Sequence, residues 1–394
     1  MNNRQLFSNH LGQTSQFPLA IEIEKAEGMY MYEKNGKSYL DLISGIGVSC
    51  LGHRHPDVIQ AIKDQTDKYL HLMVYGEFVE APQVQLAKAL SDTLPDHLDN
   101  VFLVNSGSEA TEGALKLAKR HTGRSKIVSY VDAYHGSTSG ALSVCGNENL
   151  KNPFRPLAPN TFQIRFGEKE DLNFIDTQTA AVIIEPIQGE AGVRMTDTLY
   201  FEALRSRCDE VGCLLIFDEV QCGMGRSGKF WAFEHYDIAP DILLCAKGMG
   251  GGMPIGAFIS SKEIMHCLTH NPILGHITTF GGHPVSAAAS LATVSHLLRT
   301  NLIDQASSKG ELFKSLLVHD KIKEVRGVGL MLAVEFESFD FLKELIDRLL
   351  EMGYLTDWFL FCDNSMRIAP PLIIEEDEIK MACSAILQAI HDVS

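Results

Sequence analysis

The chain has 394 residues, 45% of them hydrophobic, which suffices for full cores and excludes a disordered, collagen-like or mini-protein reading. Asp and Glu number 50 against 34 Lys and Arg, a formal charge of −16 that repels polyphosphate and anionic lipid, so neither nucleic acid nor membrane is expected as a partner. No apolar run approaches the roughly 20 residues of a membrane span and no leader-like stretch opens the chain, so a cytoplasmic address is expected. The nine cysteines, odd in number and without a C-x-x-C pair, read as reduced thiols and not as bridges or zinc ligands.

In chain order, Met29 to Glu33 and Lys37 to Leu42 flank Asn35-Gly36, a dipeptide that accepts the positive φ angles of a tight turn, and predict a β-hairpin. Gly36-Lys37-Ser38 imitates the tail of a P-loop, but Met31 stands where that motif needs its first glycine. From residue 57 to 280, apolar strands at Val101 to Val104, Ile127 to Val131, Ala181 to Ile184, Leu214 to Phe217, Ile242 to Leu244 and Ala257 to Ser260 alternate with helical stretches. One such stretch, Glu109 to Arg120, places Ala110, Ala114, Leu117 and Ala118 on one face. This is an α/β chain with a mostly parallel, doubly wound sheet. Beyond about residue 285 come a long Ala/Ser/Leu helix, a strand over Val325 to Phe336, a helix over Phe339 to Met352, and an acidic run, Glu375 to Glu378, that opens a last helix. The expected division is a small α+β domain built from residues 1–52 and 286–394 around a large domain of residues 53–285.

Ligands of open α/β sheets sit at the carboxyl ends of strands, and the residues there are chemically rich. Asn105-Ser106-Gly107-Ser108-Glu109 carries the S-x-x-E pattern of a capped helix start, where outward N–H groups suit an anion; an ordinary capped helix begins the same way. Gly248-x-Gly250 is followed by Met253 where a dinucleotide fingerprint needs its third glycine, which removes the support for a dehydrogenase. Asp218 closes one strand, and Lys247 follows another with Gly248, Gly250, Gly251 and Gly252 behind it. Burial there favours the neutral, nucleophilic amine, although a solvated lysine at a strand end fits the local sequence as well. An anion-binding helix start, an acid and a lysine together are the three attachments pyridoxal phosphate requires, for its phosphate, ring nitrogen and aldehyde.

The chain resembles, over essentially its whole length, the class III (subgroup II) pyridoxal-phosphate-dependent aminotransferases of fold type I, the acetylornithine and ornithine aminotransferase group. Seven ordered blocks carry the likeness: Gly52-His53 with Pro56, Asn105 to Ala110, Tyr134-His135-Gly136, Glu185 to Glu190, Phe217 to Gln221, Ala246-Lys247-Gly248 with Pro254 to Gly256, and Thr279 to Gly282. The resemblance implies that Gly107 and Ser108 hold the cofactor phosphate and that Ser106, His135 and Glu185 belong to the cofactor site. Tyr134 would stack on the pyridine and Val220 pack its other face. Asp218 would keep the ring nitrogen protonated, Gln221 meet the ring hydroxyl, and Lys247 condense with the aldehyde. Thr279 resembles the residue that reaches the neighbouring subunit's phosphate, which implies a homodimer with shared active sites.

In the ornithine-type branch the second Glu of E-P-I-Q-G-E masks a late Arg while a terminal (ω) amine reacts and releases it for the carboxylate of the oxo acid. Glu190 and Arg367 match that pair, so the expected reaction is ping-pong transfer of a terminal amino group to a 2-oxo acid. One departure stands out: Ser137 occupies the position where acetylornithine- and ornithine-type enzymes carry Arg after the H-G pair. Arg155 is a candidate to supply the missing charge, and Tyr75, Gly45 and Gly47 are candidates for the substrate entrance. His53 and His55 lack a third ligand nearby in sequence, so no metal is expected. Competing readings are an intramolecular aminomutase of the same fold and a cofactor-binding protein without catalysis.

Overall fold

A computed structural model of the protein describes residues 1–394. At its centre lies a sheet of seven strands: β1 (Asn100–Val104), β2 (Lys126–Tyr130), β3 (Thr161–Ile164), β4 (Thr179–Ile184), β5 (Leu214–Asp218), β6 (Ile242–Cys245) and β7 (Gly256–Ser260), in spatial order β1-β7-β6-β5-β4-β2-β3. Only β7 runs antiparallel to its neighbours. The inner strands are apolar on both faces because both are covered. Ala181, Ile183, Leu214, Ile216, Ile242 and Leu244 face the core under α1 (Gly107–Thr122), whereas Val182, Ile184, Leu215, Phe217, Leu243 and Cys245 face the larger core on the other side. The four α1 residues expected on one face, Ala110, Ala114, Leu117 and Ala118, are all fully buried.

Two smaller sheets flank the centre. One joins Ile23–Glu27, Tyr30–Glu33 and Ser38–Asp41 to Tyr354–Leu355, which pairs in parallel with Ser38–Asp41, so the two ends of the chain share a sheet. The other is antiparallel, in the order Glu324–Val328, Met331–Glu335, Cys362–Ile368, Trp358–Phe359. Helices Phe339–Glu351 and Glu376–Val393 pack behind them, the latter opened by Glu375 and Glu378 in a reciprocal cap. No helix is long and apolar enough to cross a membrane. All nine cysteines are free.

Three local expectations need correction. At the N-terminal hairpin only Gly36 has positive φ (89°), and Glu33 N–H bonds Lys37 O, so the turn is the three-residue kind that ends in a left-handed glycine. The stretch Val325 to Phe336 is two strands and not one, because the chain reverses at Gly329 (φ 57°) and Leu330, between the paired Val328 and Met331. Strand β3, absent from the six expected, is a half-exposed edge strand bonded on one side only, so it lacks the continuous apolar run of its neighbours.

Gly113 brings α1 onto the sheet: a Cβ there would lie 2.3 Å from Cε1 of the fully buried Phe258, which stacks on Phe102 at 4.8 Å between ring centroids. Gly113→Ala should lower the urea unfolding midpoint, because overpacking costs about 1–3 kcal/mol against a helix-propensity gain of at most about 1 kcal/mol.

Candidate active site

The carboxyl ends of β1, β4, β5 and β6 meet at one cavity of about 450 Å³. Among its lining residues are Ser106, Gly107, Ser108, Tyr134, His135, Glu185, Asp218, Val220, Gln221 and Lys247, ten of the eleven residues expected around the cofactor.

The anion end is the start of α1. Ser106 caps the helix by accepting from Glu109 N–H at 3.2 Å. The expected reciprocal half of the box is displaced by one residue, since Glu109 Oε2 accepts from Asn105 N–H (2.7 Å) and from its side-chain amide (2.8 Å). Asn105 is thereby clamped, and Gly107 and Ser108, whose N–H groups have no acceptor within the helix, line the cavity wall. Close packing forbids side chains here. A Cβ on Gly107 would stand 2.9 Å from Val220 Cγ1, and one on Gly136 would stand 2.2 Å from Ser108 Oγ.

The acid end is built as a relay of contacts. Asp218, 3% exposed, holds His135 Nδ1 through Oδ2 at 2.7 Å and accepts from Val220 N–H through Oδ1 at 3.0 Å. His135 is pinned in turn by Cys145, whose Sγ accepts from its backbone N–H. Glu185 accepts from Tyr134 N–H and Gly189 N–H, both at 3.0 Å, and so sets the loop that carries Tyr134. Burial pushes the Glu185 carboxyl up to about 7, helped by Asp218 and opposed by His135 and the two N–H donors.

Lys247 sits in the left-handed region (φ 43°), a conformation a non-glycine residue holds only where its surroundings impose it. The glycines behind it explain how: Gly248 would place a Cβ 3.3 Å from Met224 and 3.4 Å from Gly47 O, so this turn lies against two other segments. Part of the side chain opens to the cavity, but desolvation dominates at the ammonium and lowers its pKa. A flat anionic cofactor fits this wall: helix N–H groups and serines at one end, a buried carboxylate at the other, glycines where bulk would intrude, and a desolvated amine beside them.

Behind Gln221 lies a second buried cluster. Glu190 and Arg367 form a two-pronged ion pair, with both N–O distances 3.0 Å and side chains 5% and 6% exposed. Gln221 lines both the main cavity and a small void that Arg367 also lines, and its amide donates to Glu190 Oε1 at 3.0 Å. Burial alone would raise the Glu190 carboxyl, but Arg367, Gln221 and Leu360 N–H outweigh it and hold the group at about 2. Gln221 is therefore engaged by Glu190, an arrangement the sequence did not disclose. Asp357, also unforeseen, accepts from Arg367 Nε at 2.9 Å; burial pushes its carboxyl up to about 6 against the pull of Arg367.

Other sequence candidates lie elsewhere. Arg155 does not supply a charge to the cavity: it is exposed and paired with Glu148 at 2.6 Å, a residue seven positions earlier in its own surface segment. Tyr75 lines a separate cavity of about 230 Å³ with Phe78, Glu80 and Gln83. Ser137 is exposed beside the site, sharing a 3.0 Å hydrogen bond with Tyr134 OH. Thr279 is exposed and does not line this chain's cavity. Gly45 and Gly47, both at positive φ, shape the turn that leads to Val48 in the cavity wall. His53 pairs with Asp41 at 2.9 Å; His55 caps the helix Pro56–Thr66, and Asp57 in that helix bonds His296 and Arg299.

Comparison with known proteins identifies the family. Residues 12–390 match the family model described as aminotransferase class-III. An acetylornithine aminotransferase of Methanopyrus kandleri is 40% identical over 99% of both chains, and a putrescine aminotransferase of Pectobacterium atrosepticum is 39% identical over 95% of this chain and 82% of its own. The ornithine aminotransferase of Toxoplasma gondii, whose crystals contained pyridoxal phosphate at partial occupancy in the active site, superposes with a TM-score of 0.92 at 29% identity, over 99% of this chain and 93% of that one. The chain belongs to the class-III aminotransferases, enzymes that use pyridoxal phosphate to move an amino group from an amino-acid-like donor to an oxo acid.

Proposed function

We propose that the enzyme takes the terminal amino group of its donor and passes it to a 2-oxo acid in two half-reactions at the one cavity. The observation that carries the terminal-amine reading is the buried Glu190–Arg367 pair behind Gln221. While the pair is closed, Arg367 offers no free edge to an α-carboxylate, so a donor is admitted by its far amine; opening the pair presents the guanidinium fork to the carboxylate of the oxo acid. The aminotransferase names of the relatives tell against the aminomutase alternative.

When bound, pyridoxal phosphate supplies an aldehyde that captures the amine and a protonated ring that withdraws electrons. The rest falls to the chain. Ser106, Gly107 and Ser108 would hold the phosphate at the helix start, and Tyr134 and Val220 are the cavity residues that would pack against the ring. Asp218, steadied by His135 and Val220 N–H, is the carboxylate that would keep a proton on the ring nitrogen. Lys247, its ammonium destabilised by burial, is available as a neutral amine to take the proton from the donor's amine-bearing carbon. Ser137 leaves a neutral hydroxyl where related enzymes carry a guanidinium, which favours oxo acids without a second carboxylate. A homodimer fits the placement of Thr279 outside its own chain's cavity and the exposed Phe78, Val79, Ile273, Leu274 and Phe280. A cytoplasmic address accords with nine unbridged thiols.

Lys247→Ala should abolish the borohydride-reducible yellow chromophore of the loaded enzyme and cut turnover by about 10²–10⁴-fold; a retained chromophore would overturn the assignment. Glu190→Ala should shift preference from ω- towards α-amino donors, read by spectral half-reactions over a panel of amines with pyruvate and 2-oxoglutarate; an unchanged preference sinks the switch. Arg367→Ala should cost about 3–5 kcal/mol in urea unfolding, because the buried Glu190 and the part-buried Asp357 lose their partner. With Glu190 held at about 2 against an ordinary 4.5, its ionic contribution to stability should be complete above pH 4.5 and vanish as the pH falls towards 2. The stability cost of Glu190→Gln, measured across that range, checks the sign.

A further inference from the structure

Arg367 is held on two separate edges. Its Nη1 and Nη2 meet Glu190, while Nε donates to Asp357 Oδ1 at 2.9 Å. The first is the edge that a substrate carboxylate would take in the same two-pronged way; the second is left untouched by that exchange. Asp357 is itself fixed to the strand that carries the arginine. Arg367 N–H donates to Asp357 O at 2.9 Å, and Thr356 Oγ donates to Arg367 O at 2.6 Å. The Phe359 ring supports the guanidinium from its face, 4.5 Å from ring centroid to Cζ. Glu190 comes from a different part of the chain, the loop after β4, and is also held by Gln221 and Leu360 N–H.

The geometry points to Asp357 as the positioning residue that keeps the Arg367 guanidinium in place, at the small void it shares with Gln221 behind the cavity, when Glu190 turns away, an inference that rests on the switch reading above. Two carboxylates share one guanidinium, so Arg367 remains paired when the first departs. Without Asp357, only a long 3.5 Å hydrogen bond from Nη2 to Trp358 O and the Phe359 face would hold the cation, which would follow Glu190 instead of waiting for the oxo acid. Asp357 touches neither donor nor acceptor; its effect runs through Arg367 and falls on one half of the cycle, the half in which the α-carboxylate must be gripped.

The test measures each half-reaction separately on the holoenzyme carrying Asp357→Ala or Asp357→Asn. For Asp357→Ala the acceptor concentration giving half-maximal rate should rise about tenfold or more, as expected for losing one hydrogen bond to a charged group, while the ω-amine half stays within about twofold of wild type. Asp357→Asn keeps an acceptor for Nε and should show a smaller rise in the same half; if the alanine variant does not fold, the asparagine variant carries the test. Equal losses in both halves would mark Asp357 as merely structural and overturn the inference, as would an unchanged acceptor half. Glu190→Ala separates the two levels. If it leaves donor preference untouched, the switch fails and this inference falls with it; if preference shifts while the Asp357 variants behave as structural, Asp357 alone is wrongly placed.

Discussion

Burying ionisable groups together at the ends of parallel strands is the constraint that governs this molecule. Three neighbouring strands, β4, β5 and β6, lead to Glu185, Asp218 and Lys247, and all three residues line the same cavity. An isolated charge in such a place is too costly to keep, so each group is neutralised, paired or hydrogen-bonded. Asp218 has His135 and a backbone N–H, Glu185 has two N–H donors and a raised pKa, and Lys247 has a lowered one. The perturbations that make the site reactive are thus the ones that make its burial tolerable.

The same constraint ties distant parts of the chain together. Glu190 follows β4, Gln221 follows β5 and Arg367 lies in the last long strand, yet they form one hydrogen-bonded group. Nearby, the buried Arg226 donates to Leu330 O, Pro370 O and Ser44 Oγ, joining the N-terminal, central and C-terminal segments with no carboxylate partner, and burial lowers it to about 10. The site therefore exists only once those segments have packed. Glycines serve that packing where backbone must approach side chain closely, as Gly107 does against Val220.

Much of the site was legible because its signals are local. A strand's apolar run followed by Asp218, or by Lys247 and glycines, can be read in a ten-residue window, and the capped start of α1 announces itself by residue type. Where the reading failed, a side chain had more than one candidate partner, or met its partner only through the fold of the intervening chain. Arg155 had a carboxylate seven residues back, and that nearby pairing took it to the surface. Glu109 turned to Asn105 in preference to its expected cap because the side-chain amide offered a second donor. Asp357 gave no sign at all: it sits ten residues before Arg367 and meets it only because the intervening chain folds back as the Trp358–Phe359 and Cys362–Ile368 pair.

By itself, then, the order of residues determined the α/β architecture, the family with its cofactor, and the placement of Asp218 and Lys247 at strand ends, since alternation of apolar and polar residues and the chemistry of a strand's last residue are properties of short segments. Only the tertiary structure decided which charges pair. Glu190 and Arg367 are 177 residues apart, and the choice of Glu190 and Asp357 as joint holders of one guanidinium depends on which carboxylates are desolvated beside it, a quantity set by the packing of the whole chain.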